Sequence, residues 1–291
     1  MSKAKKLQKS STTFRLLTGL SVAEFQRLLS ELVPVWNQAR EKQAHRKNRQ
    51  RKAGAGHPFS LSLEDMLLVL LMYYRTYVTY AFLSLLFDVD ESTICRIIRR
   101  LEPLLASIFR IPEKKIEMNE DEILEAFVDA TERPINRPKK KQKKYYSGKK
   151  KRHTMKTQVI VVRKKKKREE KKEKRRVRIA VVSASTEGKE HDKKLYDRCR
   201  TWFPPDVEVI GDSGYQGTTM KTPVKKPKNG ALTGPQKQAN KQLSQKRIVA
   251  EHGIGKMKIW RIAADKYRNP RGRHTVKMKN VAGLHNRMFG D

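Results

Sequence analysis

The apolar residues in the first third of the chain recur at helical spacing. Ser21 and Glu24 have the spacing of a capping box, and a helix is predicted to follow them. A second helix is predicted to begin near Ser62. The two apolar faces comprise Phe25, Leu28, Leu29, Leu32, Val33 and Trp36 in the first helix, and Leu63, Met66, Leu67, Leu70, Leu71 and Tyr74 in the second. The N-terminal region is therefore predicted to be α-helical, and Pro103 to Pro112 is expected to close it.

A helix-turn-helix is predicted within this region. Tyr80 to Phe87 has helical apolar spacing, Asp88 to Asp90 forms a short turn, and a further helix begins at Glu91. Ile94, Ile97, Ile98 and Leu101 fall on one face of that last helix. The residues expected to face solvent and bind DNA are Ser92, Thr93, Arg96, Arg99 and Arg100. Short hydroxyls and arginines suit base edges and phosphates in a major groove. The alternative is a helical bundle with solvated arginines.

From about Ile116 the pattern changes to short apolar runs typical of strands. Strands are predicted at Glu122–Asp129, Thr157–Val162, Val177–Ser183 and Val207–Gly211. Helices are predicted at His191–Phe203 and from about Gln242. The first strand is expected to end at Asp129 and the fourth to lead into Asp212, while the second and third form a hairpin. The predicted order is β-β-β-α-β-α.

The charge of the chain indicates its class of partner. Lys and Arg number 67 against 30 Asp and Glu, a formal net charge of +37 that is spread along the sequence. The positive side chains of such a protein repel one another in the compact state and favour binding of a polyanion. Nucleic acid is therefore the expected partner. General RNA binding is the weaker alternative, because no stacking motif of the RNP kind occurs. Three basic stretches, 46–52, 139–152 and 163–178, are either arms that contact DNA or solvated loops.

Several other classes of protein are not supported. The two cysteines, Cys95 and Cys199, form no C-x-x-C pair, so neither a disulfide framework nor a thiolate zinc site is predicted. The longest apolar run, Met66 to Tyr74, has nine residues, which is too short for a membrane span. The basic N-terminus lacks an apolar segment after it, so no signal peptide is predicted. A reducing cytosol is the expected compartment.

Three carboxylates stand beside apolar segments of this basic chain: Asp129, Asp212 and Glu251. Magnesium prefers oxygen ligands and uses a few carboxylates together with substrate phosphate. Two such ions about 4 Å apart can catalyse an in-line displacement at phosphorus. Arg247 and Lys258 lie at spacings of four and seven from Glu251, so they are expected on roughly one helix face with it. Coincidence is the alternative, because the chain has 30 acidic residues.

Several segments together carry a family resemblance. They are the strand ending in Asp129-Ala130-Thr131, the run Tyr145 to His153, the segment Gly211 to Gly217, the spacing Arg247-x3-Glu251-x6-Lys258, and the closing Ala282 to Asn286. In this order and spacing they resemble bacterial insertion-sequence DDE transposases, a group that also looks like the Harbinger elements of eukaryotes. The helix-turn-helix segment is similar to the one that precedes the catalytic domain in that family.

The resemblance implies an α-helical N-terminal domain with a helix-turn-helix, followed by an α/β RNase H-like catalytic domain with a mixed sheet flanked by helices. Residues 1–112 would form the DNA-binding region, with the helix-turn-helix at about 62–110, and residues 116–291 the catalytic domain. Asp129, Asp212 and Glu251 would be the catalytic, metal-binding triad for two Mg²⁺ ions, with Mn²⁺ as a substitute. Further DNA contacts are expected from Lys149, Lys150, Arg152, Arg247 and Lys258.

The implied reaction is metal-dependent cleavage at a transposon end, followed by attack of the exposed 3′-OH on target DNA. Asp129 is expected to contact both ions, with Asp212 and Glu251 completing one each. The expected partners are double-stranded DNA, as terminal inverted repeats and target, and a second copy in a synaptic homodimer. The expected location is the bacterial cytoplasm, in association with the nucleoid. The alternative is a catalytically inactive or domesticated DNA-binding regulator. Ser244 stands where some family members have a tyrosine, so that tyrosine's role is not carried over.

Overall fold

The structure is a computed structural model that describes residues 2–45, 58–165 and 177–289. The chain divides into two compact units. The first extends to Arg110 and includes Trp260–Ile262, while the second comprises Ile111–Ile259 and the chain from Ala263 onward. The basic stretch 46–52 lies outside the described residues, and so does most of the stretch 163–178.

The described part of the first unit is helical, as the sequence predicts. Its helices are α1 (Lys3–Gln8), α2 (Ser11–Thr18), α3 (Val22–Ala44), α4 (Leu63–Thr76), α5 (Tyr80–Phe87) and α6 (Glu91–Phe109). The hydroxyls of Ser21 and Ser62 accept the backbone N–H of Glu24 and Asp65, which confirms both predicted helix starts. Helix α6 continues through Pro103 and ends at Phe109, so the helical region closes within the predicted segment Pro103 to Pro112. Leu101 and Leu105 are buried on either side of that proline, and their packing offsets the lost backbone hydrogen bond.

Helices α5 and α6 form the predicted helix-turn-helix. Asp88 ends α5 in the left-handed conformation with φ of 56°, and its N–H bonds to the carbonyl of Ser84. Asp tolerates this conformation better than most residues, so the turn needs no glycine. Helix α6 buries its predicted isoleucine face, and Ser92, Arg96 and Arg99 are exposed.

Arg100 departs from the expected solvent-facing position. Its guanidinium lies over the ring of Phe59, 4.8 Å from the centroid, and 5.9 Å from that of Trp36. Burial lowers the pKa of Arg100, and the charge of Arg96 lowers it further. The position of Phe59 in space cannot be read from α6 alone, which is why helical periodicity placed this arginine in solvent.

The second unit contains a mixed sheet flanked by helices. The strands are β1 (Ile123–Pro134), β2 (Tyr146–Ser147), β3 (Arg152–Lys164), β4 (Val177–Val182), β5 (Thr186–Glu187) and β6 (Glu208–Ile210). The helices are α7 (Gln142–Tyr145), α8 (Asp192–Cys199), α9 (Gly234–Met257), α10 (Arg261–Ala264), of which Arg261 and Ile262 fall in the first unit, and α11 (His274–Phe289). Strand β3 pairs antiparallel with β1 and β4, and β1 pairs in parallel with β6. The predicted pairing of the second and third strands is thus confirmed. The fold class is the predicted one, consistent with an RNase H-like fold.

Several predicted boundaries are wrong. Strand β1 does not end at Asp129 but continues to Pro134, because β3 pairs with it as far as Thr154. Helix α9 begins at Gly234, where Thr233 and Gln236 form a capping box, and not near Gln242. Helix α8 ends at Cys199 instead of Phe203, because Arg200 is left-handed. The basic stretch 139–152 contains α7 and β2 as well as loop.

The two faces of the sheet pack differently. Ala126, Val128, Ile160 and Val162 form a core with Tyr215 on one face. On the other face Gly253 brings α9 close to β3, since a Cβ on Gly253 would lie 3.1 Å from Cγ1 of Val161. The glycine next to the Glu251-His252 pair therefore sets the distance of α9 from the sheet.

The closing Ala282 to Asn286 segment has a structural role on α11. Buried Asn286 accepts the N–H of Ile179 on β4 through Oδ1 at 2.8 Å and donates to the carbonyl of Ile179 at 2.9 Å. Both backbone groups of one strand residue are thus satisfied by one side chain. These two hydrogen bonds account for an asparagine at position 286, and no catalytic role is needed to explain it.

Asn286→Ala is expected to lower the free energy of unfolding by about 2–4 kcal/mol, because two buried backbone groups lose their partner. Urea denaturation followed by circular dichroism measures it. Asn240→Ala is the matched control: Asn240 makes the same pair of bonds with Val224, at 2.9 Å each, but these bonds are exposed to solvent. Its loss should cost less than about 1 kcal/mol. Equal costs at the two positions would contradict the assigned role of Asn286.

Candidate active site

The parallel pairing of β1 with β6 brings Asp129 and Asp212 to the same level of the sheet. Phe127 is paired with Ile210, and each aspartate lies two residues further along its own segment. Side chains two residues apart on a strand point to the same face. Two carboxylates from distant parts of the sequence are therefore neighbours at the carboxyl end of β6.

Asp129 lies in a partly buried position. Its Oδ1 accepts the N–H of Ala130 at 2.8 Å. Burial raises the pKa of Asp129 to about 6, and the charge of Asp212 adds to the rise, while the Ala130 bond and the charge of Arg247 oppose it. The ionised form of a carboxyl with a pKa this high is expected to be stabilised by a nearby cation.

Asp212 caps the short turn that follows β6. Its Oδ1 accepts the N–H of Gly214 at 2.8 Å. Gly214 has to be small here, because a Cβ would lie 2.9 Å from that same oxygen. The Gly211-Asp212-Ser213-Gly214-Tyr215 segment is thus a tight turn that presents a carboxylate at the end of a strand.

Helix α9 carries Arg247 and Glu251. The charge of Arg247 lowers the pKa of Asp129, so the guanidinium acts on the two-aspartate site. Glu251 is exposed one turn further along α9, and exposed Lys258 caps the C-terminus of the helix. Across 2–45, 58–165 and 177–289, no three His, Cys, Asp or Glu side chains stand in a group that could hold a metal ion. The place of Glu251 in the triad therefore stays a prediction.

Ion pairs hold the middle of α9 on the sheet. Lys246 contacts Glu125 of β1 at 2.7 Å and Glu208 of β6 at 2.8 Å. Arg163 of β3 also pairs with Glu125. One lysine thus ties the helix to the two strands that position the aspartates.

Sequence reasoning missed Lys156 and Asp192. Buried Lys156 on β3 contacts Asp192 at 2.7 Å and Glu132 of β1 at 3.3 Å. Asp192 begins α8, and its Oδ2 would lie 3.4 Å from a Cβ on Gly214. The available signal was a lysine inside the apolar strand Thr154 to Val162, since such a lysine needs a buried partner. The partner itself could not be read from the sequence.

Tyr215 lies beside these carboxylates. The side chain is fully buried, and its hydroxyl has no hydrogen-bond partner among the described residues. Burial raises the pKa of Tyr215 well above its usual range, and the charges of Asp192, Asp129 and Asp212 raise it further, in that order. The hydroxyl therefore faces an acidic, desolvated environment.

The basic residues expected to contact DNA are mostly at the surface. Lys149, Lys150 and Arg152 are exposed around the turn that joins β2 to β3. The N–H of Lys150 bonds to the hydroxyl of Ser147, which helps to define the turn. Their exposure fits phosphate contacts, although exposed basic side chains are common in any chain of this charge.

The donor set suits a hard divalent cation. Asp129 and Asp212 offer carboxylate oxygens, and burial raises the pKa of Asp129, with the charge of Asp212 adding to the rise. Magnesium binds through one or two carboxylates and fills its remaining positions with water and substrate phosphate. The residues present therefore fit such an ion, and the chemistry open to them is displacement at phosphorus.

Comparison with known proteins agrees with this geometry. Residues 128–286 match the family described as DDE superfamily endonuclease, and residues 59–111 match the helix-turn-helix of DDE superfamily endonuclease. The chain is 33% identical over 246 residues to a probable transposase for insertion sequence element IS702 of Microchaete diplosiphon, covering 81% of this chain and 84% of the relative. It is 27% identical over 239 residues to a putative transposase for insertion sequence element IS112 of Streptomyces albus G, covering 79% and 82%.

No solved structure matches the chain. Among the helices within the described ranges, none is long and apolar enough to cross a membrane.

Proposed function

Because the chain belongs to the DDE superfamily endonucleases and is similar to insertion-sequence transposases, we propose that it cleaves DNA at the ends of an insertion sequence and joins them to target DNA. The observation that carries the proposal is the pair formed by Asp129 on β1 and Asp212 just beyond the parallel strand β6, with the charge of Arg247 acting on Asp129. Two carboxylates beside a cationic side chain, in a chain of charge +37, suit a site that handles DNA phosphate.

Asp129, Asp212 and Glu251 are the residues that would hold Mg²⁺ or Mn²⁺. Two ions bound there would polarise the phosphate and stabilise charge on the entering and leaving oxygens. Asp129 would contact both ions, with Asp212 and Glu251 completing one each. Glu251 would complete the set from α9, the helix that Lys246 fixes to β1 and β6.

The proposed reaction has two displacements. In the first, water attacks the phosphorus at the end of the element, and the strand leaves as a free 3′-OH. In the second, that 3′-OH attacks a target phosphodiester and displaces a 3′-oxygen, so one phosphodiester replaces another and no nucleotide cofactor is consumed. Arg247 would bind the phosphate near the cut, and Lys258 its flanking phosphates.

The first unit would supply DNA recognition. Helix α6 would enter the major groove with Ser92 and Thr93 toward the bases, while Arg96 and Arg99 contact phosphate. Lys149, Lys150 and Arg152 would bind the backbone near the catalytic site. Two copies are proposed to act together, because joining requires both ends of the element to be held at one target.

The helix-turn-helix proposal is tested by Arg96→Ala. We expect duplex affinity to fall about tenfold and the slope of log K against log salt to shrink by about 0.9, if Arg96 contacts one phosphate. Fluorescence anisotropy at several KCl concentrations measures both. Arg15→Ala is the control, since Arg15 is an exposed arginine on α2 of the same unit. An equal loss in both variants would mean that α6 has no special contact with DNA.

The catalytic proposal is tested by nicking of supercoiled plasmid, and of DNA carrying the element's own ends, with Mg²⁺, Mn²⁺ or EDTA. Metal-dependent nicking is expected. Tight DNA binding without nicking on either substrate would favour the alternative of a transposase-derived regulator that has lost catalysis. Competition by structured RNA as effective as duplex DNA would instead favour RNA binding.

A further inference from the structure

A cleft of about 510 Å³ lies at the N-terminal end of β3, in the second unit. Its lining is basic and contains no carboxylate: Arg137, Gln142, Lys143, Tyr146, His153 and Lys189. Arg137, Lys143 and Lys189 are exposed, so their charges can act on a ligand in the cleft. A lining with three positive charges and no negative one favours a polyanion.

One aromatic ring in this cleft is both exposed and held in place. Tyr146 on β2 pairs with His153 on β3, and the two ring centroids are 5.6 Å apart at an interplanar angle of 76°. The preceding Tyr145 packs against the buried cluster that includes Met155 and Tyr267. Nevertheless, 45% of the surface of Tyr146 is exposed. Because the strand pairing and the neighbouring ring already position Tyr146, a planar ligand would stack on it at little cost in side-chain entropy.

Hydrogen bonds link the basic residues to the same part of the chain. The N–H of Lys189 donates to the carbonyl of Lys144 at 3.1 Å. The Nε of Arg137 donates to Oε1 of Gln142 at 2.9 Å. Both acceptors belong to α7, the short helix that leads directly into Tyr146. The segments that carry two of the three positive charges are therefore connected to the helix that precedes the exposed ring.

The cleft lies on the face of the sheet that carries Asp129. Asp129 is paired with Val159 of β3, and His153 stands six positions before Val159 on the same strand. Side chains an even number of positions apart on a strand share a face, and six positions span about 20 Å at about 3.3 Å each. A DNA strand has one phosphate per about 3.4 Å, so about six nucleotides would cover that distance.

We propose that this cleft binds an unpaired nucleotide of the DNA, with its base stacked on Tyr146 and the adjoining phosphates on Arg137, Lys143 and Lys189. The inference rests on the proposed function and adds to it a site for single-stranded DNA. Phosphate contacts alone require positive charge but no aromatic ring. Stacking on a ring requires a base whose face is free, which a base inside a duplex does not offer.

Photo-crosslinking of the full-length protein to a short single strand of 5-iododeoxyuridine tests the site directly. The iodinated base crosslinks to an aromatic side chain on which it is stacked when the complex is irradiated. We expect mass spectrometry of the digested complex to place the crosslink on Tyr146. Trp202 is the internal control, because it is 49% exposed in the same unit but does not line the cleft.

Affinity measurements by fluorescence anisotropy complete the test. Tyr146→Ala is expected to weaken binding of a single strand about tenfold, and Tyr146→Phe, which keeps the ring, less than about twofold. Lys189→Ala should reduce the slope of log K against log salt by about 0.7, the value for one phosphate of a single strand. Affinity for a duplex should change less than about twofold in Tyr146→Ala, because paired bases are already stacked. Trp202→Ala should bind both forms of DNA like the wild type.

The outcomes separate this inference from the proposed function. Crosslinks that map to Trp202 as often as to Tyr146 would overturn the inference, and so would an equal loss of duplex and single-strand binding in Tyr146→Ala. Either result leaves DNA cleavage standing if the wild type still binds and nicks duplex DNA. A wild type that binds neither form of DNA would overturn the proposed function itself. Should Tyr146→Ala fail to fold by circular dichroism, the crosslinking of the wild type decides.

Discussion

Asp129→Asn is expected to reduce metal-dependent nicking by about a thousandfold or more, while duplex affinity changes less than about twofold. The carboxylate lies near that of Asp212, and asparagine keeps its size but not its charge. The loss should appear in the rate at saturating DNA, since the proposed DNA contacts come from other residues. Plasmid nicking with Mg²⁺ and anisotropy with a duplex measure the two quantities.

Companion variants make this result specific. Asp212→Asn should lose activity to the same degree, and Glu251→Gln tests the member of the triad that the geometry supports least. Asp197→Asn should remain as active as the wild type, since Asp197 is exposed on α8. Nicking by Asp129→Asn at the wild-type rate would show that cleavage takes place at another site or comes from a contaminant.

The same substitution is expected to stabilise the protein when no metal is present. The pKa of Asp129 is about 6 in the folded state against 3.8 for an unperturbed group, so folding favours the protonated form. Above pH 6 the charged carboxylate therefore costs stability, by about 3 kcal/mol. As pH falls through 6 toward 3.8 the cost disappears. Asp129→Asn should raise the free energy of unfolding at pH 7.5 and bring little change at pH 4.

Thermal and urea unfolding in EDTA at the two pH values check this prediction, with Asp197→Asn as the control for loss of a negative charge. Adding Mg²⁺ should stabilise the wild type, because the ion binds the folded state, and should have little effect on Asp129→Asn. A variant less stable than the wild type at pH 7.5 would mean that Asp129 already has full electrostatic compensation.

In strand β1 the sequence predicted the strand itself but not its end. The apolar run to Val128 predicted a strand, and the strand exists, but its end could not be found from the run. Beyond Asp129 the strand continues with polar residues that the pairing with β3 supports, including Glu132 opposite Lys156. The end of a strand depends on the neighbouring strand that pairs with it, and the sequence of the strand itself does not contain that information.

By itself, the sequence determined what is local. Serine caps predicted the starts of α3 and α4, helical periodicity predicted the isoleucine face of α6, and charge indicated the class of partner. These properties depend on neighbours a few residues away. Asp129 and Asp212 were also found, because each follows an apolar run.

Only the tertiary structure decided which side chains meet. It placed Arg100 over Phe59, joined Lys156 to Asp192 across 36 positions, and brought Asp192 beside the turn of Asp212. Periodicity shows which face of an element is buried but not what packs against it. The two aspartates can therefore be picked out in the sequence because each follows an apolar run, whereas the ion pair of Lys156 with Asp192 depends on a contact that only folding creates.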